Sequence, residues 1–213
     1  MRIMEMEQDR RNMGTRFSGS ASLSFAQALH KRDPRWQTGP MADLVIRPLL
    51  AAEIPQLRDL AEETFREAFA HALRGPALEL LLIGRFTKAK FEALHDDPEG
   101  WLRVAEEGGR LVGYAQAQPA PCPVQGPGEM PDWELGRLYV RQSHHGLGPA
   151  QALMQACVDA AQAAGARGLW LKVWEDNPRG RAFYRRWGFV EVGREDMDLY
   201  GTVLVHLILV KAW

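Results

Sequence analysis

Two cysteines, Cys122 and Cys157, are all that the 213 residues contain. They are too few for a disulfide scaffold and lack the spacing of a zinc site. An excess of charge of one sign is missing too, with 26 basic side chains against 27 acidic ones. A protein that coats nucleic acid needs a basic excess to displace counterions from phosphates, so a nucleic-acid partner is not expected. No apolar run approaches the ~20 residues that span a bilayer. The first eleven residues, Met1 to Arg11, lack the apolar segment of a signal peptide. Together these absences lead to the expectation of a cytoplasmic protein with no membrane partner. What is present, 46% apolar and 25% charged residues, suits a globular chain with a real core. The length fits one domain plus an appendage.

The appendage is residues 1–40. Five methionines stand at positions 1, 4, 6, 13 and 41, and the stretch from Gly14 to Ser24 is rich in small polar residues. Apolar periodicity is weak apart from Leu23, Phe25, Ala26 and Leu29, which is too little buried surface to offset the entropy of ordering the segment. It reads as a mobile extension, or as residues upstream of a start at Met41. The alternative is an arm that docks on a neighbour through Trp36.

From residue 41 to 213 the pattern is regular. Asp43–Pro48 alternates and reads as a strand. Between Glu53 and Phe69, a helical stripe is formed by Ile54, Leu57, Leu60, Ala61, Phe65, Ala68 and Phe69. A second helical stretch runs from Ala77 to about Phe91. Trp101–Glu106 and Arg110–Gln118 flank Gly108-Gly109, a hairpin signal. Pro119–Asp132 holds five prolines and must be a loop. Trp133–Val140 is a strand, Pro149–Ala164 a helix facing inward through Leu153, Ala156, Cys157, Ala160 and Ala164, and Gly168–Val173 a strand. Pro178–Trp187 is a short helix, with closing strands at Phe189–Glu195 and Thr202–Lys211. The fold class is therefore mixed α/β, with helices packed on the sheet.

Two segments carry chemistry. In Glu134–Gln151 a strand enters a glycine loop and then a helix opening at Pro149. Such a junction presents free backbone N–H groups and the positive end of a helix dipole, a phosphate-binding device. Gly146 and Gly148 allow close backbone approach. In Trp174–Phe189 a strand ends, Asn177-Pro178 opens a helix, and Trp187-Gly188-Phe189 returns the chain to a strand. Taken alone, Asn177 is a helix N-cap and Tyr184 a core aromatic.

The pair resembles the GNAT N-acetyltransferase superfamily over about Asp43 to Lys211. The family's pyrophosphate loop, Q/R-x-x-G-x-G/A, is matched by His145, Gly148 and Ala150. Its second motif, N-x-x-A/G-x-x-F-Y-x-x-x-G-F, is matched by Asn177, Gly180, Phe183, Tyr184, Gly188 and Phe189. The resemblance implies one domain with a mostly antiparallel twisted sheet of about seven strands, splayed between strands 4 and 5, with helices on both faces. It also implies an acetyl-CoA co-substrate. The coenzyme would be held by Leu138, Tyr139, Val140, His145, Gly146, Leu147, Gly148, Pro149, Ala150, Gln151, Asn177, Ala182 and Tyr184. Two departures stand out: His145 replaces the usual Gln or Arg, and Pro149 lacks an N–H.

The implied activity is transfer of an acetyl group to a primary amine by direct attack in a ternary complex. Tyr184 resembles the family's general acid. Glu134 stands where the histone-acetyltransferase branch keeps its glutamate, and is the candidate base acting through a water. The alternative for Glu134 is simple attraction of a cationic substrate. By period-two geometry Glu134, Gly136, Leu138 and Val140 would share one strand face. Another branch places its base on the fifth strand, at Lys172 here, and a protonated lysine cannot serve.

Glu63–Phe69, Glu134–Val140 and Leu171–Asn177 look most like the bacterial polyamine N-acetyltransferase branch, with Glu62, Glu63, Glu67 and Glu134 as negative charge for a polycation. His206 departs from that branch, where an acid is expected. Small amines, amino acids, antibiotics and protein N-termini remain alternative acceptors, and a coenzyme-binding sensor with little turnover is the alternative to an enzyme. A homodimer is compatible with the resemblance. No metal is expected, because His144 and His145 are adjacent and point apart, and no third ligand is suitably spaced. A chain beginning at Met41 is expected to melt within a few degrees of the full chain, measured by thermal denaturation; insolubility or a much lower midpoint would show that residues 1–40 pack into the domain.

Overall fold

A computed structural model describes residues 43–213, apart from His71, Arg74, Gly75, Pro127 and Tyr200. The expectations for residues 1–40 lie outside the described residues. Strands β1 (Leu44–Pro48), β2 (Trp101–Glu107), β3 (Arg110–Pro119), β4 (Trp133–Val140), β5 (Gly168–Trp174), β6 (Val190–Leu199) and β7 (Thr202–Ala212) form one sheet. Its spatial order is β1-β2-β3-β4-β5-β7-β6, antiparallel except where β4 and β5 run parallel. Helices α1 (Ile54–Phe69), α2 (Pro76–Arg85) and α3 (Lys88–Asp96) separate β1 from β2. Helix α4 (Pro149–Ala163) is the β4–β5 crossover that a parallel pair requires, and α5 (Pro178–Arg186) follows β5.

The helical stretch read as Ala77 to Phe91 is two helices. Thr87 sits in extended backbone and its side chain accepts from the Lys90 amide, so α2 stops and α3 restarts there. The β2–β3 hairpin turns through Gly108 and Gly109, with φ of 56° and 78°, the left-handed pair that suits a two-residue turn between twisted strands. The proline-rich stretch is a loop, fastened where Ala120 and Cys122 donate to the Asp132 and Pro131 carbonyls.

The sheet separates two cores. On one face α4 contributes Leu153, Met154, Cys157, Val158 and Ala161, against Leu135, Val140, Leu169, Leu171 and Val173. Met154, Val158 and Ala161 extend the stripe expected for this helix, while Ala164 is exposed. On the other face α1 buries Ile54, Leu57, Leu60, Ala61 and Phe65, as its periodicity requires, beside Phe86, Phe91, Val104 and Tyr114. Each fully buried Leu or Phe contributes about 1.5–3 kcal/mol. Thr64 also faces inward, its hydroxyl donating to the Leu60 carbonyl at 2.9 Å. Arg47 joins the start of α1 to the sheet by pairing with both Glu53 and Glu106 at 2.6 Å, and its guanidinium holds the Glu53 carboxyl below the usual range. No helix of the described residues is long and apolar enough to cross a membrane.

Gly168 opens β5 where only a glycine fits. A Cβ there would lie 2.3 Å from the Lys211 carbonyl oxygen on β7. Gly168→Ala should therefore force β5 and β7 apart and lower stability by about 2–4 kcal/mol, read as a lower midpoint in urea. An unchanged midpoint would show that the strand end yields freely.

Candidate active site

Pairing of β4 with β5 comprises two rungs, Trp133 with Leu169 and Glu134 with Trp170. Beyond Glu134 the strands diverge, while β4 stays zipped to β3 and β5 to β7. The result is a V-shaped gap in the sheet whose inner edge carries strand amides and carbonyls without a ladder partner, groups that require one. Glu134 stands at the vertex.

Beyond β4 the chain makes a short 3-10 turn at Gln142–His144 and enters α4. Gly146 and Gly148 have φ of 83° and 109°, values an L side chain adopts only with strain. Pro149 is the first residue of α4, so the N–H groups of Ala150 and Gln151 follow it without intrahelical acceptors. Pro149 supplies none itself. The Leu147 amide is occupied by the His144 carbonyl at 3.3 Å. His145 turns back to β4, its Nε2 donating to the Val140 carbonyl at 2.9 Å. His145 thus braces the loop from behind, and His144 pairs with Glu107 at 3.0 Å. The loop is anchored from above as well: Arg141 bonds Glu63 of α1, and the Gln142 amide donates to Glu67 at 3.0 Å.

Across the gap, Asn177 caps α5, its Oδ1 accepting from the Gly180 amide at 2.9 Å. A Cβ at Gly180 would lie 2.8 Å from the Asn177 side-chain nitrogen, so a larger residue there would push on the cap. Ala182 is partly buried on the same helix. Tyr184 packs edge-on to Phe183 and Phe189, with ring centroids 5.4 and 5.7 Å away, and joins the core on the α4 side. Burial, with Tyr139 and Cys157 nearby, raises its phenol well above the ordinary value. Tyr184 is therefore protonated throughout the neutral range and available as a donor. Burial likewise pushes the Cys157 thiol up to about 12, so it is no nucleophile.

One expectation about faces is overturned. Glu134, Leu138 and Val140 do not share a side of β4. The register against β3 jumps from Leu135–Ala117 to Arg137–Gln116, leaving Gly136 as the extra residue of a β-bulge, which breaks the two-residue alternation. Leu138 and Val140 join Leu135 in the α4 core. Glu134 lies with Arg137 and Tyr139 on the α1–α3 face. Tyr139 stacks on Tyr114 there, centroids 5.7 Å apart, so of the coenzyme-facing trio it offers that side of the cleft its backbone. Glu134 is partly buried and accepts from Gln118 Nε2 at 3.4 Å. Lys172 is ion-paired with Glu195, and His206 on β7 is partly buried, its basicity lowered by that burial.

The gap, the glycine loop and the helix start suit a long ligand with a phosphate group and an amide-bearing arm. The profile of the acetyltransferase (GNAT) family matches residues 54–189. The chain belongs to the GNAT acetyltransferase family. It is therefore an acyltransferase, acetyl-CoA-dependent by family. Uncharacterized N-acetyltransferases of Mycobacterium bovis and Mycobacterium tuberculosis are 31% identical over 134 residues, covering 63% of this chain and 81% of theirs. The fold is shared with a PaiA N-acetyltransferase from Thermoplasma acidophilum solved in complex with coenzyme A (TM-score 0.63, 20% identity, 80% of this chain and 99% of that one). A GCN5-related N-acetyltransferase from Rhodopseudomonas palustris gives TM-score 0.64 at 20% identity, covering 83% and 99%. Near Glu134 the fold also brings Arg137, Gln116 and Gln118, to which the sequence analysis gave no role. Gly136 inside a strand was the available signal, since glycine there often marks a bulge.

The α4 entrance presents backbone amides suited to a pyrophosphate. Gly148→Glu should place a carboxylate in that position and abolish acetyl-CoA binding in calorimetry, with the melting temperature followed to separate clash from unfolding. Unchanged affinity in a folded variant would put the coenzyme elsewhere.

Proposed function

We propose that this GNAT enzyme transfers the acetyl group of acetyl-CoA to a primary amine in a ternary complex, with Glu134 as base and Tyr184 as acid. The observation that carries this reading is the two-rung β4–β5 pairing. It sets a carboxylate at the vertex of a through-sheet gap, facing α1–α3, while a buried protonated phenol packs on the α4 side. Amine and coenzyme thereby approach from opposite faces and meet in the gap.

Acetyl-CoA supplies the activated carbonyl and a thiolate leaving group. The β4 amides along the gap are suited to polarise that carbonyl, with Ala150 and Gln151 of α4, Gly146 and Gly148 of the loop, and the α5 start at Asn177 suited to the rest of the coenzyme. Glu134 takes the ammonium proton through a water, leaving the nitrogen lone pair free to form the C–N bond. As the C–S bond breaks, Tyr184 gives its proton to the thiolate and is reprotonated, through solvent, by the second proton that the new amide nitrogen sheds. A phenol held neutral by burial is always in the donating form, which offsets its weaker acidity.

The acceptor class follows the charges less simply than the polyamine likeness suggests. Of the acids counted for a polycation, Glu62 is paired with Arg66 and Glu63 with Arg141, and Glu67 holds the Gln142 amide. All three are engaged, Glu63 and Glu67 in joining α1 to the chain beyond β4, so a primary amine is proposed and a polycation is not.

Glu134→Gln should lower kcat by roughly 10²–10⁴-fold and leave acetyl-CoA affinity nearly unchanged, because the carboxylate faces the amine. Loss of an acidic limb in kcat/KM should accompany it, once the substrate amine's own titration is subtracted. Tyr184→Phe should lower kcat alone. A rise in KM for the amine with kcat kept in Glu134→Gln would reduce that residue to attracting a cation, and full activity in both variants would remove both from the mechanism.

A further inference from the structure

Arg137 is a charge the reaction above does not use. Its Nη1 is buried without a hydrogen-bond partner, yet the residue as a whole keeps some exposure. The guanidinium lies over the Phe91 ring, 5.6 Å from its centroid, among Tyr114, Tyr139 and Arg85. Burial pulls it below its ordinary basicity, but an arginine stays protonated. A buried cation without an anion is destabilising, so this position on β4 calls for a ligand.

The surroundings select the sign and the spacing. Arg85, at the end of α2, stands over the Phe65 ring at 5.7 Å and reaches the same region. Among the described residues no ion pair engages either arginine, whereas Lys172 is matched by Glu195. Among the described residues, the α1–α3 side of the gap therefore carries two arginines without an ion-pair partner beside the carboxylate of Glu134. Glu134 and Arg137 stand opposite Gln118 and Gln116, two β3 residues or about 7 Å apart along the strand. The two glutamines are linked in turn, Gln116 donating to Gln118 at 3.0 Å and Gln118 to Glu134.

We infer that the acceptor is an amine carrying a carboxylate a few bonds away, an amino acid, with the amine at Glu134 and the carboxylate on Arg137. A guanidinium fork binds a carboxylate through two parallel N–H donors, and such a ligand completes the unpartnered nitrogen. A polycation would meet Arg137 and Arg85 as like charges. This inference rests on the acetyl-transfer reading, which the acetyl-CoA titration of Gly148→Glu tests separately.

The experiment is thiol release from acetyl-CoA by the full chain with matched pairs: ornithine and putrescine, lysine and cadaverine, phenylalanine and phenethylamine, methionine and 3-methylthiopropylamine. The best pair should show at least tenfold higher kcat/KM for the carboxylate member. Arg137→Gln should bring that ratio close to one by raising KM for the amino acid alone, and Arg137→Lys should keep part of it. Acetyl-CoA affinity should be unchanged in both, and the melting temperature of Arg137→Gln should not fall, since a buried unpaired charge has gone. The inference is overturned if the wild type prefers the decarboxylated member, or if Arg137→Gln lowers both members of a pair alike. Acetyl-CoA binding with fast putrescine turnover would sink the inference and leave the acetyl-transfer reading standing.

Discussion

A parallel strand pair that stops after two rungs is the constraint on which the site depends. Glu134 and Trp170 form the last rung, and each strand is then committed elsewhere, β4 to β3 up to Val140 and β5 to β7 up to Trp174. Trp170 is itself fixed, its indole donating to the Ala120 carbonyl at 2.8 Å. With both strands held from outside, the gap cannot close by zipping. Strand groups left bare in an interior are unfavourable until paired, a need that the amide-bearing arm of acetyl-CoA is suited to meet.

The bulge at Gly136 makes the gap asymmetric. It turns Glu134, Arg137 and Tyr139 to the α1–α3 side and sends Leu138 and Val140 to the α4 side. Polar side chains able to handle an amine and its substituents are thus separated from the apolar wall that adjoins Tyr184. Were Gly136 paired in regular alternation and not bulged out, Arg137 and Tyr139 would point into the α4 core among Leu153 and Met154, and two large polar groups there would be untenable.

Charge on the same side is arranged in two tiers. Of the α1 acids, Glu62 is tied to Arg66 of the same helix, while Glu63 and Glu67 hold Arg141 and the Gln142 amide, at the surface, where such pairs add little stability but join α1 to the chain entering the glycine loop. Beneath them lie Glu134 and Arg137, buried enough for their fields to act on a ligand with little screening. Tyr184, held neutral across the sheet, completes the proposed pair, one group to accept a proton and another to donate one.

Much of this was legible in the chain. The strand–loop–helix junction at Val140–Gln151, the capped helix at Asn177 and the hairpin at Gly108-Gly109 depend on local backbone conformation and on residues that specify it: glycine for positive φ, proline for a first helical turn, asparagine for a cap. The break at Thr87 was missed because an N-cap threonine within an apolar run leaves the periodicity intact. The faces of β4 were misassigned for a different reason. A bulge is set by the register between two strands, and only the pairing of Gln116 with Arg137 beside Ala117 with Leu135 reveals it. Sequence by itself determined the elements and the family, since both follow from residues near one another in the chain. The side of the sheet on which Glu134 sits, and the pairing or solitude of each charge around it, were decided by tertiary structure, because they depend on contacts between residues far apart in sequence.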